Sequence, residues 1–305
     1  MKLAVDLLGC QTESRMRGIG RYALALTREM ARLRAGDDLV VLADSLYEAP
    51  FENLRKVFTR LLPAGSFLPY HHEPIDWSQP EEKVRDAASI AETLVRQAYR
   101  SISPDVVLCC SPFEGWMEPG VVPAPVDGAA RPKYAAVLHD LIPFIFKREY
   151  LDRLPAYKRL YLERLNTLSC YDLLLANSEH TRQDAIKLLG IVPEKVVTIS
   201  GAASDCFRLL HLGRDERERH WRKFGIERDF VFYAGAGDPR KNVEGALRGY
   251  ALLPKEIRRT FQLVLNNVGE EAVVLRKAKD VGLARGEVVV TSRLADDELV
   301  AFYNL

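Results

Sequence analysis

Short runs of apolar, β-branched residues recur along this chain, separated by longer segments of helical period. Runs at Lys2 to Leu8, Leu39 to Ala43, Asp105 to Cys110, Tyr134 to His139, Leu173 to Asn177 and Val196 to Ser200 read as strands. Nearly every position in them is apolar. A strand of that kind is buried on both faces, so it belongs to a parallel sheet covered by helices. The intervening segments supply the helices: Tyr22, Leu26, Met30 and Leu33 recur at helical spacing, and Asp152 to Leu168 and Glu179 to Leu189 follow the same period. Repeated β-α alternation of this sort predicts a doubly wound α/β domain.

The pattern then restarts. A charged helix-like stretch from Arg214 leads into a second apolar strand, Asp229 to Gly235. Further strands are expected at Phe261 to Leu265 and Glu287 to Thr291, with helices at Asn242 to Leu253, Glu270 to Val281 and Asp296 to Asn304. The boundary falls between about residues 201 and 228, which divides the chain into 1–208 and 209–305. Three strands make an incomplete doubly wound sheet, so the second domain reads as truncated. Segment 53–89, with five prolines and glycines spread through it, reads as a loop-rich excursion, and Pro119 to Pro132 as a second loop.

At 305 residues, 48% hydrophobic and 28% charged, the chain has material for two cores. A net charge of +1 gives no global field for nucleic acid, so anion binding must come from local amides and cations. The five cysteines show no C-x-x-C pair and fit a reducing compartment. No apolar stretch approaches the roughly 20 residues of a spanning helix. A cytoplasmic protein is expected.

Four segments carry candidate chemistry. Gly18 and Gly20, followed by Arg21, open a helix soon after the first strand. Glycines let a backbone approach a ligand, and a helix N-terminus suits a phosphate; a plain tight turn is the other reading. His139 closes the fourth strand, where α/β sheets gather ligand contacts, and Asp140 either orients its ring or caps the next turn. Ser178 reads as an N-cap, with Arg182 one turn on as a candidate anion contact. Gly235 and Gly237, then Arg240 and Lys241, precede a helix in an order apt for a diphosphate. His71-His72-Glu73 lies in a proline-rich loop without a third convincing ligand, so no metal site is expected.

Taken in order, Gly18-Ile19-Gly20-Arg21-Tyr22, His139-Asp140-Leu141-Ile142-Pro143, Ser178-Glu179-His180-Thr181, Gly235 to Asn242 and Asp296 to Tyr303 resemble the family-4 retaining glycosyltransferases of GT-B architecture. The resemblance runs along essentially the whole chain, and its flavour is that of bacterial mannosyltransferases of polysaccharide or O-antigen assembly. It implies two Rossmann-like domains, a nucleotide-sugar donor, GDP-mannose favoured, held between them, and a saccharide or lipid-linked saccharide acceptor. In that scheme Gly18 and Gly20 approach the donor, His139 contacts the transferred sugar, and Arg240 and Lys241 neutralise the leaving diphosphate. Neither a metal nor an organic cofactor is required.

Two departures qualify the match. Ala236 stands where the family often has Arg, leaving that role to Arg240; and the family's donor-binding pair of glutamates is expected beyond residue 305. Two other readings stay open on sequence, a GT-B nucleotide-sugar epimerase and a non-catalytic homologue serving in assembly. The aromatic and basic segment Pro143 to Arg148 and the helix from Asp152 suit either peripheral contact with the inner face of the plasma membrane or ordinary packing on the sheet.

Overall fold

A computed structural model describes every residue of the chain except 35–37, 127, 129, 130 and 236. The chain forms two compact units, Met1–Ala202 and Ala203–Leu305. The linker thus leaves the first unit a few residues before the expected 208.

In the first unit the order is β1 (Lys2–Asp6), α1 (Gly18–Leu33), β2 (Asp38–Asp44), α2 (Glu48–Phe58), β3 (Phe67–Tyr70), α3 (Glu81–Ile102), β4 (Val106–Cys109) and β5 (Lys133–Leu138). Then follow α4 (Ile142–Ile145), α5 (Lys147–Tyr150), α6 (Pro155–Thr167), β6 (Leu173–Ala176), α7 (Glu179–Leu189) and β7 (Val196–Thr198). Among the described residues the sheet has seven strands in the order β3-β2-β1-β4-β5-β6-β7, and every pairing is parallel. Alternate side chains of each strand feed opposite faces. Val5, Val41, Leu108 and Val137 pack with α1 and α2, while Ala4, Leu42, Val107 and Leu138 pack with α3, α6 and α7.

Segment 53–89 is more ordered than its prolines suggest. It holds the end of α2, all of β3 and the start of α3. Pro69 sits inside β3, which the reading of that stretch as a loop did not allow. β3 is an edge strand. Ser66, just before the strand, and Tyr70 at its end offer carbonyls to Val41 N and Ser45 N, at 2.8 and 3.0 Å, so Pro69 turns its missing N–H toward the free edge, where no ladder bond is lost.

Helix α1 also departs from expectation. Its buried stripe is Gly20, Ala23, Thr27 and Ala31, with Tyr22, Leu26 and Met30 flanking it and Leu33 exposed. Small residues on that stripe let the helix lie close to the sheet, and the larger apolar side chains cover its margins.

The second unit contains α8 (Arg214–Phe224), β8 (Phe230–Ala234), α9 (Val243–Ala251), α10 (Lys255–Thr260), β9 (Gln262–Asn266), α11 (Glu271–Asp280), β10 (Val288–Thr291) and α12 (Asp296–Phe302). Its three described strands run parallel in the order β10-β9-β8. Leu263 and Leu265 face α9 and α11 on one side; Val264 faces Phe302 of α12 on the other. Each unit is therefore a β-α sandwich of Rossmann type.

Candidate active site

In the first unit the strand order reverses direction at β1, whose neighbours are β2 and β4. The crevice outside the carboxyl ends of strands at such a switch point is the usual ligand site of an open α/β sheet. Four segments meet there: Leu8–Cys10 after β1, Ser111 to Glu114 after β4, His139 and Asp140 after β5, and Asn177 to Thr181 after β6.

His139 is partly buried, with its Nε2 3.1 Å from the Cys110 carbonyl oxygen. A carbonyl only accepts, so Nε2 carries the proton and Nδ1 keeps the lone pair. Burial lowers the imidazole pKa and so favours the neutral ring, outweighing the Cys110 carbonyl, which pulls the other way. Tyr22 packs edge-on against it, ring centroids 5.5 Å apart, and gives its hydroxyl to Ser200 O at 2.5 Å. A neutral histidine with its tautomer fixed in this way can accept a hydrogen bond from a ligand hydroxyl at Nδ1.

The first turn of α1 lies beside this ring. Its two glycines serve different purposes. A Cβ on Gly20 would stand 2.5 Å from Arg15 Cα, 2.6 Å from Ser14 O and 2.7 Å from Gly9 O, so that glycine is demanded by the chain packed against it. A Cβ on Gly18 would meet nothing within 4 Å, which leaves that position open to a ligand. The N-cap residue, Arg17, places no side-chain acceptor on the first-turn amides, and Arg21 is exposed on the same turn. Of the two, Gly20 is the tight-turn glycine, and Gly18 alone has the open space that close approach of a ligand would need.

Asp140 accepts from Ile142 N at 3.0 Å, so it caps the following turn and does not hold the His139 ring. Ser178 caps α7 by accepting from Thr181 N at 3.1 Å, and the Thr181 hydroxyl lies 2.9 Å from Asn177 Oδ1 and 3.3 Å from the His139 carbonyl. Thr181 thereby ties the β6 loop to the β5 loop. Arg182 is not brought to this cluster. Its Nε donates to Val196 O at 2.9 Å and its Nη1 stands 3.2 Å from Glu179 Oε1, which fastens α7 to β7.

Glu114 is a member that sequence reasoning passed over. It is buried, and its two oxygens accept from the hydroxyls of Thr12, at 2.7 Å, and Ser111, at 2.6 Å. This joins the loops after β1 and β4. Nothing in Ser111-Pro112-Phe113-Glu114 signals it, because its partner Thr12 is remote in sequence.

The His71-His72-Glu73 run forms no ligand set. His72 is buried, its Nδ1 2.8 Å from Glu73 O and its Nε2 3.3 Å from Asp44 Oδ2. Burial alone would lower its pKa; the Asp44 carboxylate and Glu73 carbonyl outweigh that and raise it. No group of three His, Cys, Asp or Glu residues suited to a metal ion occurs among the described residues.

In the second unit the loop after β8 carries the other candidates. Gly235 lies under the Tyr233 ring, where a Cβ would come within 2.0 Å of Cε1, and the Tyr233 hydroxyl donates to Lys241 O. The ring pins both ends of the loop. A Cβ on Gly237 would make ordinary contact with the Val268 and Gly269 backbone at 3.8–3.9 Å, so packing does not demand a glycine there. Ala236 lies outside the described residues. Asp238 accepts from Arg240 N at 2.9 Å and pairs with the Arg240 guanidinium, Nη2 to Oδ2, at 2.7 Å. Arg240 is thus already oriented by a carboxylate, while Lys241 is exposed on the same turn. Asn242 takes a left-handed φ of 54° and accepts from Gly245 N at 3.0 Å, starting α9. Asn242 follows this basic turn directly, so α9 begins beside Arg240 and Lys241.

Of the aromatic stretch, Ile145 and Phe146 are each 43% exposed, and Lys147 Nζ lies 4.0 Å over the Phe144 ring. The tyrosines of α6 face inward: Tyr161 stacks on Phe113 with centroids 4.7 Å apart, and Tyr157 meets Trp116 at 5.5 Å. That is ordinary packing for α6. Among the described residues no helix is long and apolar enough to cross a membrane.

Two Rossmann-type units with candidate sites at the carboxyl ends of their strands define the GT-B class of fold. The profile of Glycosyltransferase Family 4 matches residues 16–203, and the chain belongs to that family. It is 30% identical over its whole length to the serotype-specific mannosyltransferase WbdA of Escherichia coli, of which it spans 36%. It is 26% identical to the O-antigen chain mannosyltransferase B of Escherichia coli over 47% of this chain and 38% of that one. The chain thus spans little more than a third of these relatives. The structure of Anabaena Alr3699/HepE in complex with UDP and glucose superposes with a TM-score of 0.59 at 14% identity, covering 98% of this chain and 71% of that one.

Proposed function

We propose that the chain belongs to a retaining mannosyltransferase that moves mannose from GDP-mannose to a saccharide or lipid-linked saccharide. The relatives' names supply the sugar. The observation that carries the chemistry is His139: a neutral imidazole held by Cys110 O, with Nδ1 as its acceptor, beside the open first turn of α1. Such a group recognises a sugar hydroxyl without adding charge. In the second unit, Arg240, Lys241 and the start of α9 suit the diphosphate, whose charge grows as it leaves.

In this reaction the bond from the anomeric carbon to the donor phosphate oxygen breaks while a bond to the acceptor hydroxyl oxygen forms on the same face. The acceptor proton passes to a phosphate oxygen of the leaving GDP. Neither an enzyme nucleophile nor a metal ion takes part in this scheme.

The test is a thermal-shift series. GDP-mannose at a hundredfold excess over its Kd adds about 2.7 kcal/mol of stability. Exchanging Lys241 or Arg240 for alanine is expected to remove most of the shift with both GDP and GDP-mannose. His139→Ala is expected to weaken the GDP-mannose shift and leave the GDP shift intact. A protein that responds to none of GDP-mannose, UDP-glucose and UDP-N-acetylglucosamine does not fit the proposal.

A further inference from the structure

Between β4 and β5 no helix occurs among the described residues; Val121 and Val122 of that connection pack into the core on the face of the sheet that carries α3 and α6. A cavity of about 510 Å³ lies beside these two helices, with Trp77 and Trp116 in its lining. It is distinct from the His139 cluster, none of whose side chains lines it.

We propose that this groove binds a neutral oligosaccharide, as a subsite for the acceptor chain; the choice of saccharide rests on the transferase reading above. Three features point to an uncharged polyol. Trp77 and Trp116 meet at 5.4 Å with their planes at 67°, and Trp77 Nε1 is fixed on Glu118 O at 2.7 Å, so two part-exposed indoles are held as a platform for the C–H face of a pyranose. The charged lining is balanced, Glu81, Glu92 and Glu163 against Arg85, Arg159 and Arg164, which favours neither an anion nor a cation. Most of these groups are held in place: Arg159 lies 2.9 Å and Arg85 3.3 Å from Glu81, and Arg164 3.4 Å from Glu92.

An unmet polar group adds an independent pointer. Arg164 is 9% exposed and gives Nη1 to the Val122 carbonyl of the connection, yet its Nε has no hydrogen-bond partner. A buried donor without a partner is costly. Arg164 is itself one of the residues that line the groove. The volume lies within the range of small-molecule sites, and the mixture of aromatic walls with a few fixed polar groups is their usual chemistry.

The chain has three tryptophans, so Trp221→Phe leaves only the two groove indoles as emitters. Titrating that variant with mannotriose is expected to give a saturable fluorescence change. Adding Trp116→Ala is expected to weaken binding at least tenfold. Arg159→Ala, at an exposed position and therefore safe for folding, is expected to weaken it severalfold. No saturable change with mannotriose or maltotriose overturns the proposal. So does unaltered affinity in both variants, or a response only to phosphatidylglycerol vesicles, which would make the groove a lipid contact. Thermal shift with GDP-mannose, run on the same samples, separates the two readings. Saccharide binding without a donor shift defeats the donor assignment and leaves the groove standing; a donor shift without saccharide binding does the reverse.

Discussion

Replacing Gly20 by alanine is expected to cost about 3 kcal/mol or more of stability, while the same change at Gly18 stays within about 0.5 kcal/mol. The two positions are two residues apart on one helical turn, so propensity cannot separate them. Space does. At Gly20 the new carbon would press on three backbone atoms at 2.5–2.7 Å, and a backbone held by its own hydrogen bonds has no rotamer to escape into. The 3-10 turn Glu13–Met16 and the Leu8–Cys10 turn would both have to shift. At Gly18 there is nothing to strike within 4 Å. Urea unfolding midpoints of the two variants decide the matter. Equal stabilities would mean that α1 does not seat against those turns as described.

A second large effect is expected from Asp6 at the carboxyl end of β1. It is buried, accepting from Leu8 N at 2.8 Å and from the Tyr99 hydroxyl at 2.6 Å, with the Asp44 carboxylate nearby. Burial, helped by repulsion from Asp44, raises its pKa from 3.8 to about 6 against the lowering effect of those two donors. The folded protein therefore holds this proton more tightly than the unfolded chain does. Its stabilising contribution is complete below about pH 4 and is lost as the pH rises through about 6, a decline of roughly 3 kcal/mol. Asp6→Asn cannot titrate, so the difference between the wild-type and variant stability curves isolates this group from every other. A difference that stays flat between pH 4 and 7 would show that Asp6 is ionised at ordinary carboxylate values.

The doubly wound fold was legible because burial on both faces writes itself into a strand as an unbroken apolar run, as at β4 and β6. β3 was not, since Pro69 is acceptable only on an edge, and edge position is a property of the finished sheet. The site divides in the same way. His139 could be placed at a strand end from local order alone. Its tautomer depends on Cys110 O, 29 residues away, and the role of Glu114 on Thr12, 102 residues away. Arg182 looked like an anion contact from its place on α7, but Val196 O and Glu179 claim its donors. The groove beside α3 and α6 left no mark in the sequence, because it follows only from where those helices stand.

Saturation-transfer difference NMR on GDP-mannose reaches the central claim most directly, because it reports the two halves of the donor separately. The expected spectrum has enhancements on the guanosine protons and on the mannosyl ring protons, with the mannosyl signals alone diminished in His139→Ala. A spectrum with no enhancement on either half, or with His139→Ala leaving the mannosyl signals at full strength, would contradict the account.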